Sequence, residues 1–357
     1  MPRPTTFDVA LVVPLRGPAG IFGPSAELCA ELAAEQINAS GGVLGRELRL
    51  IPVDGGAAPQ AVADEVAALV GSGRVEGVTG WHISSVRQAV APRVAGRAPY
   101  VYTALYEGGE QTDGVFLTSE TPDVQLFPAM RLLAAERGAR RWYVVGNDYV
   151  WPRRTALAAR RFAAGAGLEM AGESYVPLGT HDFTGVLRAI ERSTADAVLM
   201  LLVGTDAVRF NRAFARSGLA GGCLRLSTLM DENMLLASGA TATADLFSTA
   251  GFFASMVTPE NLDFHGRYAR RFGVEAPPLG SLGESCHEGV LLLAALVEQA
   301  GTVDPRSIGG AAESVSYEGP RGLLRLRQRH VNQRIYLAEA RGVEFDVVTQ
   351  LDTSSRK

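Results

Sequence analysis

Apolar residues follow two alternating periods along this chain. Residues 8–15 (DVALVVPL) form a nearly unbroken apolar run, the pattern of a strand buried on both faces, and open into a glycine-spaced loop at 17–23 and a helix after Pro24. That helix carries Leu28, Leu32 and Ile37 on its apolar face and ends at Asn38 and the Gly41-Gly42 pair. Gly45 then leads into an alternating strand over 47–53. The order repeats with a helix over 59–70, a strand over 75–80, a helix over 84–94 and a strand over 99–103. A second series starts at Thr121-Pro122-Asp123. It predicts a helix to Arg137, a strand over 141–146, a helix from Thr155, a strand over 173–176, a helix over 183–193, a strand over 197–203 and a helix over 206–217. Strands and helices in this order imply parallel sheets covered by helices on both faces. Residues 323–328, 334–339 and 345–349 alternate as antiparallel strands, expected to attach to the second series.

A length of 357 residues exceeds one ordinary core, and 47% hydrophobic with 20% charged residues suits two compact lobes. The net charge of −4 gives no reason to expect direct contact with nucleic acid. The short basic run at 325–329 (RLRQR) reads as a solvated strand edge. Cys29, Cys223 and Cys286 are odd in number and lie far apart, which fits buried free thiols in a reducing compartment. No run is apolar and long enough for a membrane span. Met1 to Phe7 runs straight into the first strand with no basic, apolar or cleavage segment. The expected location is therefore cytoplasmic, or periplasmic or extracellular if a leader has been removed.

Several loops carry candidate chemistry. The loop at 17–23 lacks both G-x-G and G-K-[S/T], so nucleotide binding is not expected. Trp81-His82-Ile83-Ser84-Ser85 lies between a buried strand and a helix, where ligands of open α/β sheets sit; the alternative for Ser84 and Ser85 is simple capping of the helix. Tyr102-Thr103-Ala104-Leu105-Tyr106 ends the next strand, and Tyr102 and Tyr106 suit either an aromatic wall or the core. Asn147 to Pro152, with Tyr149 and Trp151, follows a strand of the second series, and Gly204-Thr205 follows another. Asp231 fits a first-turn acid favoured by the helix dipole. No hydrolase or metal motif occurs, and Cys286 and His287, adjacent on a helix, point in different directions, so neither an enzyme, a metal nor a cofactor is expected.

The stretch I-N-x-x-G-G-V-x-G-R at 37–46, set between a long helix and a strand ending in Asp54, resembles the opening of the type I solute-binding proteins, the Leu/Ile/Val-binding superfamily. GWHISSVR at 80–87, YTALYEG at 102–108, GNDYVWPR at 146–153 and VGT at 203–205 resemble its amide- and urea-binding branch, nearest to the amide-sensing negative regulators of bacterial aliphatic amidase operons. The resemblance implies two Rossmann-like lobes joined by three crossings, near 120, 252 and 319. The first lobe would hold 1–120 plus 253–319 and the second 121–252 plus 320–357, with a ligand cleft between them.

It also implies site roles. The position of Ser84 holds ligand in the family, and His82 stands where the amidase regulators have a ligand-contacting tyrosine, pointing into the cleft. Ala104 replaces a threonine that bonds amide ligands, with Thr103 one residue earlier. Tyr149 matches a ligand contact, Trp151 replaces a second tyrosine, Gly204 and Thr205 offer backbone, and Asp231 falls where amino-acid binders place an ammonium-binding acid. Ala104, Leu105 and Trp151 together imply a bulkier or less polar amide. The implied function is a ligand sensor acting through an antiterminator-type regulatory protein. The alternative is the ligand-binding subunit of an ABC importer for urea, short amides or branched-chain amino acids. Oligomeric state stays open.

Overall fold

The computed structural model describes residues 5–353. In chain order, the first series comprises β1 (Thr6–Val13), α1 (Gly23–Ala39), β2 (Glu47–Asp54), α2 (Pro59–Gly71), β3 (Gly77–Gly80), α3 (Ser84–Val94), β4 (Tyr100–Tyr102) and β5 (Val115–Leu117). The second comprises α4 (Pro122–Glu136), β6 (Arg141–Asn147), α5 (Val150–Ala166), β7 (Glu169–Val176), α6 (Thr184–Ser193), β8 (Ala197–Leu201), α7 (Thr205–Arg216), β9 (Leu224–Ser227), α8 (Glu232–Ser238) and β10 (Leu246–Ala250). The remainder is α9 (Pro259–Phe272), α10 (Ser281–Ala300), α11 (Pro305–Ala311), β11 (Ser316–Gly319), β12 (Gly322–Arg327), β13 (His330–Asn332), β14 (Tyr336–Arg341) and β15 (Glu344–Gln350).

These elements form two compact units. The first contains the described chain up to Ala104, Gly109–Ser119 and Val257–Gln333; the second contains Leu105–Gly108, Glu120–Met256 and the chain from Arg334 on. Each has one mixed, mostly parallel sheet. The first runs in the order β11-β12-β13-β5-β4-β3-β1-β2 and the second β15-β14-β10-β9-β8-β6-β7. The central strands are the ones the apolar runs predict. Val9 to Val13 and all of β8 are buried, whereas the edge strand β7 is half-buried or exposed up to its last residue, Val176.

One expectation fails here. Residues 323–328 were assigned to the second lobe, yet β12 pairs antiparallel with β11 and β13, and β13 meets β5 through His330 and Leu117, inside the first sheet. The cause is electrostatic and comes from residues distant in sequence. Arg321, in the β11–β12 turn, forms ion pairs with Glu284 at 3.4 Å and with Glu288, both on α10, and Tyr317 donates a 3.0 Å hydrogen bond to Glu288. Burial pushes the Glu288 carboxyl up, but Arg321 and the surrounding hydrogen bonds outweigh it and hold the group below its ordinary value. An almost fully enclosed guanidinium is thus clamped to the helix of its own unit.

In both sheets the strand order reverses beside the first strand of the series. After β1 the chain forms β2 on one side and then β3 on the other; after β6 it forms β7 on one side and β8 on the other. Connections on the two sides run over opposite faces of the sheet, so a crevice opens at the carboxyl ends of β1 and β3, and of β6 and β8.

Candidate functional site

At the crevice of the first unit the chain leaves β3 through Gly80, whose φ is +130° and whose missing Cβ would fall 2.3 Å from the Val12 carbonyl oxygen. Only glycine lets β3 close this tightly on β1. The next residue, Trp81, is buried and meets Phe22, which precedes α1, edge to face with ring centroids 4.9 Å apart. His82 follows and is fully buried.

The expectation that His82 points into a ligand cleft is corrected by its bonding. Its Nδ1 lies 3.0 Å from the Val12 carbonyl, which can only accept, so Nδ1 carries the proton and Nε2 accepts from the Tyr100 hydroxyl. Burial pushes its pKa down to about 4, so the ring is neutral near pH 7. The Tyr102 hydroxyl donates to the His82 carbonyl at 2.8 Å, and the ring of Tyr102 lies under the Arg87 guanidinium. His82, Tyr100 and Tyr102 therefore form a saturated aromatic brace behind the loop.

Ile83 occupies the cap of α3, Ser84 and Ser85 are the first helical residues, and the alternative of a serine at the cap position is not what the helix uses. Ser84 is buried and Ser85 half-buried, at the start of an 11-residue helix that begins at the carboxyl end of β3. Thr103 turns the other way: its hydroxyl accepts from Ser285 at 3.3 Å on α10. Ala104 is buried at the end of its segment, and Tyr106 is buried within Leu105–Gly108, which belongs to the second unit.

In the second unit, Asn147 spans the crevice. Its Oδ1 accepts from the Val203 amide at 2.8 Å and its Nδ2 donates to Asp206 at 2.8 Å, while Asp206 also accepts from the Gly179 amide at 2.8 Å. Asp206 did not stand out in sequence and Asn147 did so only as the start of the 147–152 loop, because their bonding depends on the parting of β6 and β8. Tyr149 caps α5 and is half-buried; Trp151, in the first turn, is buried with its ring centroid 6.2 Å from that of Tyr149. Gly204 caps α7 with φ +53°, and Thr205 starts the helix half-buried.

Asp231 caps α8, accepting from the Met234 amide at 3.0 Å, and burial raises its pKa to about 6. Burial, then the neighbouring Asp231, pushes Glu232 up to about 8. A proton held in the folded state and released by the unfolded chain stabilises the fold fully below the ordinary value of 4.5 and progressively less as pH rises towards 8. Glu232→Gln, neutral at every pH, should melt at or above the parent temperature at about pH 8 and lose that advantage at about pH 5. A gap that does not change with pH would show Glu232 to be ionised.

The three cysteines are buried free thiols. Among the described residues no cluster of His, Cys, Asp and Glu could hold a metal ion, and no helix is long and apolar enough to cross a membrane.

Periplasmic binding protein is the family whose pattern matches residues 6–344. The chain belongs to that family. A Leu/Ile/Val-binding protein homolog 6 from Brucella melitensis is 25% identical over 343 residues, covering 93% of this chain and 86% of the relative. A leucine-, isoleucine-, valine-, threonine- and alanine-binding protein from Pseudomonas aeruginosa is 22% identical over 89% of the chain and 85% of its own length. In three dimensions the chain superposes with a TM-score of 0.87 on an ABC transporter solute-binding protein from R. palustris in complex with 4-hydroxybenzoate, at 22% identity and 97% coverage of both. A branched-chain amino acid transporter substrate-binding protein from Streptococcus pneumoniae, in complex with isoleucine, gives a TM-score of 0.84 at 16% identity, covering 97% of this chain and 99% of that one. The family and the two-unit α/β fold are as the sequence implied, and the relatives are binding proteins rather than enzymes.

Proposed function

We propose that this protein is the solute-capturing component of an importer and holds a small carboxylate-bearing molecule, an amino acid or an aromatic acid, at the carboxyl ends of its parallel strands. The observation that carries this reading is the start of α3. An 11-residue helix without a capping side chain begins beside the first crevice, and the positive end of a helix stabilises an anion there. Ser84 and Ser85 would bind the carboxylate, and Phe22 and Trp81 would wall the apolar part. Tyr149, Trp151, Gly204, Thr205 and Asp231 are the candidates on the second unit. The names of relatives support the class, since those that state a ligand state amino acids or aromatic acids.

The amide-sensing regulator rests on resemblance in short loop motifs alone, and the importer reading replaces it here. On that reading the working location is outside the cytoplasmic membrane, and the partner is a transporter rather than an antiterminator.

A thermal-shift and calorimetric screen against isoleucine, leucine, benzoate, 4-hydroxybenzoate, acetamide and urea tests this. A true ligand at about 100 times its Kd adds roughly 2.7 kcal/mol of stability. Ser84→Ala should weaken the best carboxylate at least about tenfold, the loss of one hydrogen bond to a charged group. Response to acetamide or urea only would return the protein to the amide branch, and unchanged affinity in Ser84→Ala would remove the site from α3.

A further inference from the structure

The indole N–H of Trp81, just past the carboxyl end of β3, is a buried polar group that the fold leaves without a partner among the described residues. Trp81 is 2% exposed, and its Nε1 has no hydrogen-bond acceptor among the described residues. Trp142, the other buried indole whose bonding is defined, donates to the Ala139 carbonyl at 2.9 Å. A buried donor left unpaired costs about 1–3 kcal/mol, so a side chain kept for packing alone would do better as phenylalanine. The main chain beneath it is firmly held. Gly80 is pressed against Val12. The ring is fixed against Phe22, three residues before the first turn of α3.

We infer that the Trp81 indole N–H is a specificity determinant: it donates to a carboxylate oxygen of the bound solute, beside the α3 N-terminus, and favours an anionic acceptor over a neutral one. This rests on the importer reading above and adds to it a named donor and a ranking of ligands. Hydrogen bonds to a charged acceptor are stronger than those to a neutral one. Trp81 should therefore contribute more to binding a carboxylate than to binding the matching primary amide, while the Phe22–Trp81 wall serves both equally.

Two measurements test it. In Trp81→Phe, which keeps an aromatic ring at the wall and removes the donor, binding of the best carboxylate from the screen and of its amide (benzoate and benzamide, or isoleucine and isoleucinamide) is compared by calorimetry. The carboxylate should lose about tenfold or more and the amide clearly less, so that the preference between them shrinks. Equal losses for both, or none, overturn the role of the N–H while leaving the importer reading intact. Binding of no carboxylate by the parent protein overturns the reading and the inference together. The second measurement needs no variant with altered folding. The chain has three tryptophans, and the indole 1H–15N resonance of Trp81 in the parent protein should move downfield on saturation with the carboxylate while that of Trp142 stays in place. A Trp81 resonance unmoved at saturation would show that its partner is a buried water and would overturn the inference.

Discussion

Arg321→Met should cost the first unit about 3–5 kcal/mol at neutral pH, the range for removing one partner of a buried ion pair, and should reverse how that cluster responds to acid. In the parent protein Arg321 faces Glu284 and Glu288 on α10, with Tyr317 also donating to Glu288. Because the Glu288 pKa is lowered in the fold, its stabilisation is complete above the ordinary carboxylate range and is lost as pH falls. Without the guanidinium, two buried carboxylates face each other with only neutral donors, and both favour the protonated form. Their contribution is then restored by acid and lost as pH rises. Urea midpoints measured from about pH 4.5 to pH 8 should show the gap between variant and parent widening with pH. A gap that is constant or narrows with rising pH would mean that the ion pairs do not govern the attachment of the β11–β12 turn.

Gly80→Ala should be nearly as damaging, by roughly 2–5 kcal/mol, from overpacking and backbone strain together. The added Cβ would lie 2.3 Å from the Val12 carbonyl oxygen and 2.9 Å from its carbonyl carbon and nitrogen, all backbone atoms of a central strand that cannot rotate away. The φ of +130° adds a penalty independent of space. Gly73→Ala separates the two effects, since Gly73 has φ +70° with nothing within 4 Å of the added carbon, and should cost about 1 kcal/mol. Equal midpoints for the two variants would show that the close approach of β3 to β1 is unimportant. Because Trp81 and His82 follow directly, the Gly80 variant should also bind solute more weakly than its lost stability alone explains.

The central architecture was readable because the run 9–13 and the run 197–203 are apolar throughout, and only a strand buried on both faces needs that. The sequence did not say which sheet a short alternating strand joins. Leu324 and Leu326 read as a buried face in either unit, and the deciding contacts, Arg321 with α10 and His330 with Leu117, span distances that no local pattern records. The same limit explains the reading of His82. A lone histidine after a buried strand looks available, and its saturation by Val12 and Tyr100 is a tertiary fact. Trp81 was visible as an aromatic loop residue, but the lack of an acceptor for its N–H is defined only by what surrounds it. Asn147 and Asp206 show the reverse: ordinary polar residues that the parting of two strands turns into a brace.

The connectivity also sets when each unit can be finished. The first sheet takes its opening strands from the start of the chain, yet α10, which packs on α1, β3 and β4, and the strand that meets β5 come only after the second unit's β10 has been made. The second unit in turn waits for β14 and β15. A ribosome making this protein thus releases the chain to Asn332 before the first sheet has all its strands and to Gln350 before the second has, and the early apolar segments must remain uncommitted until their partners emerge. Joining ends so distant adds little to the equilibrium cost, which grows only with the logarithm of loop length, but such non-local pairing slows the search. Neither unit can be excised as one contiguous stretch of gene, and a circular permutant that regrouped the segments would be expected to change the speed of folding far more than its end point.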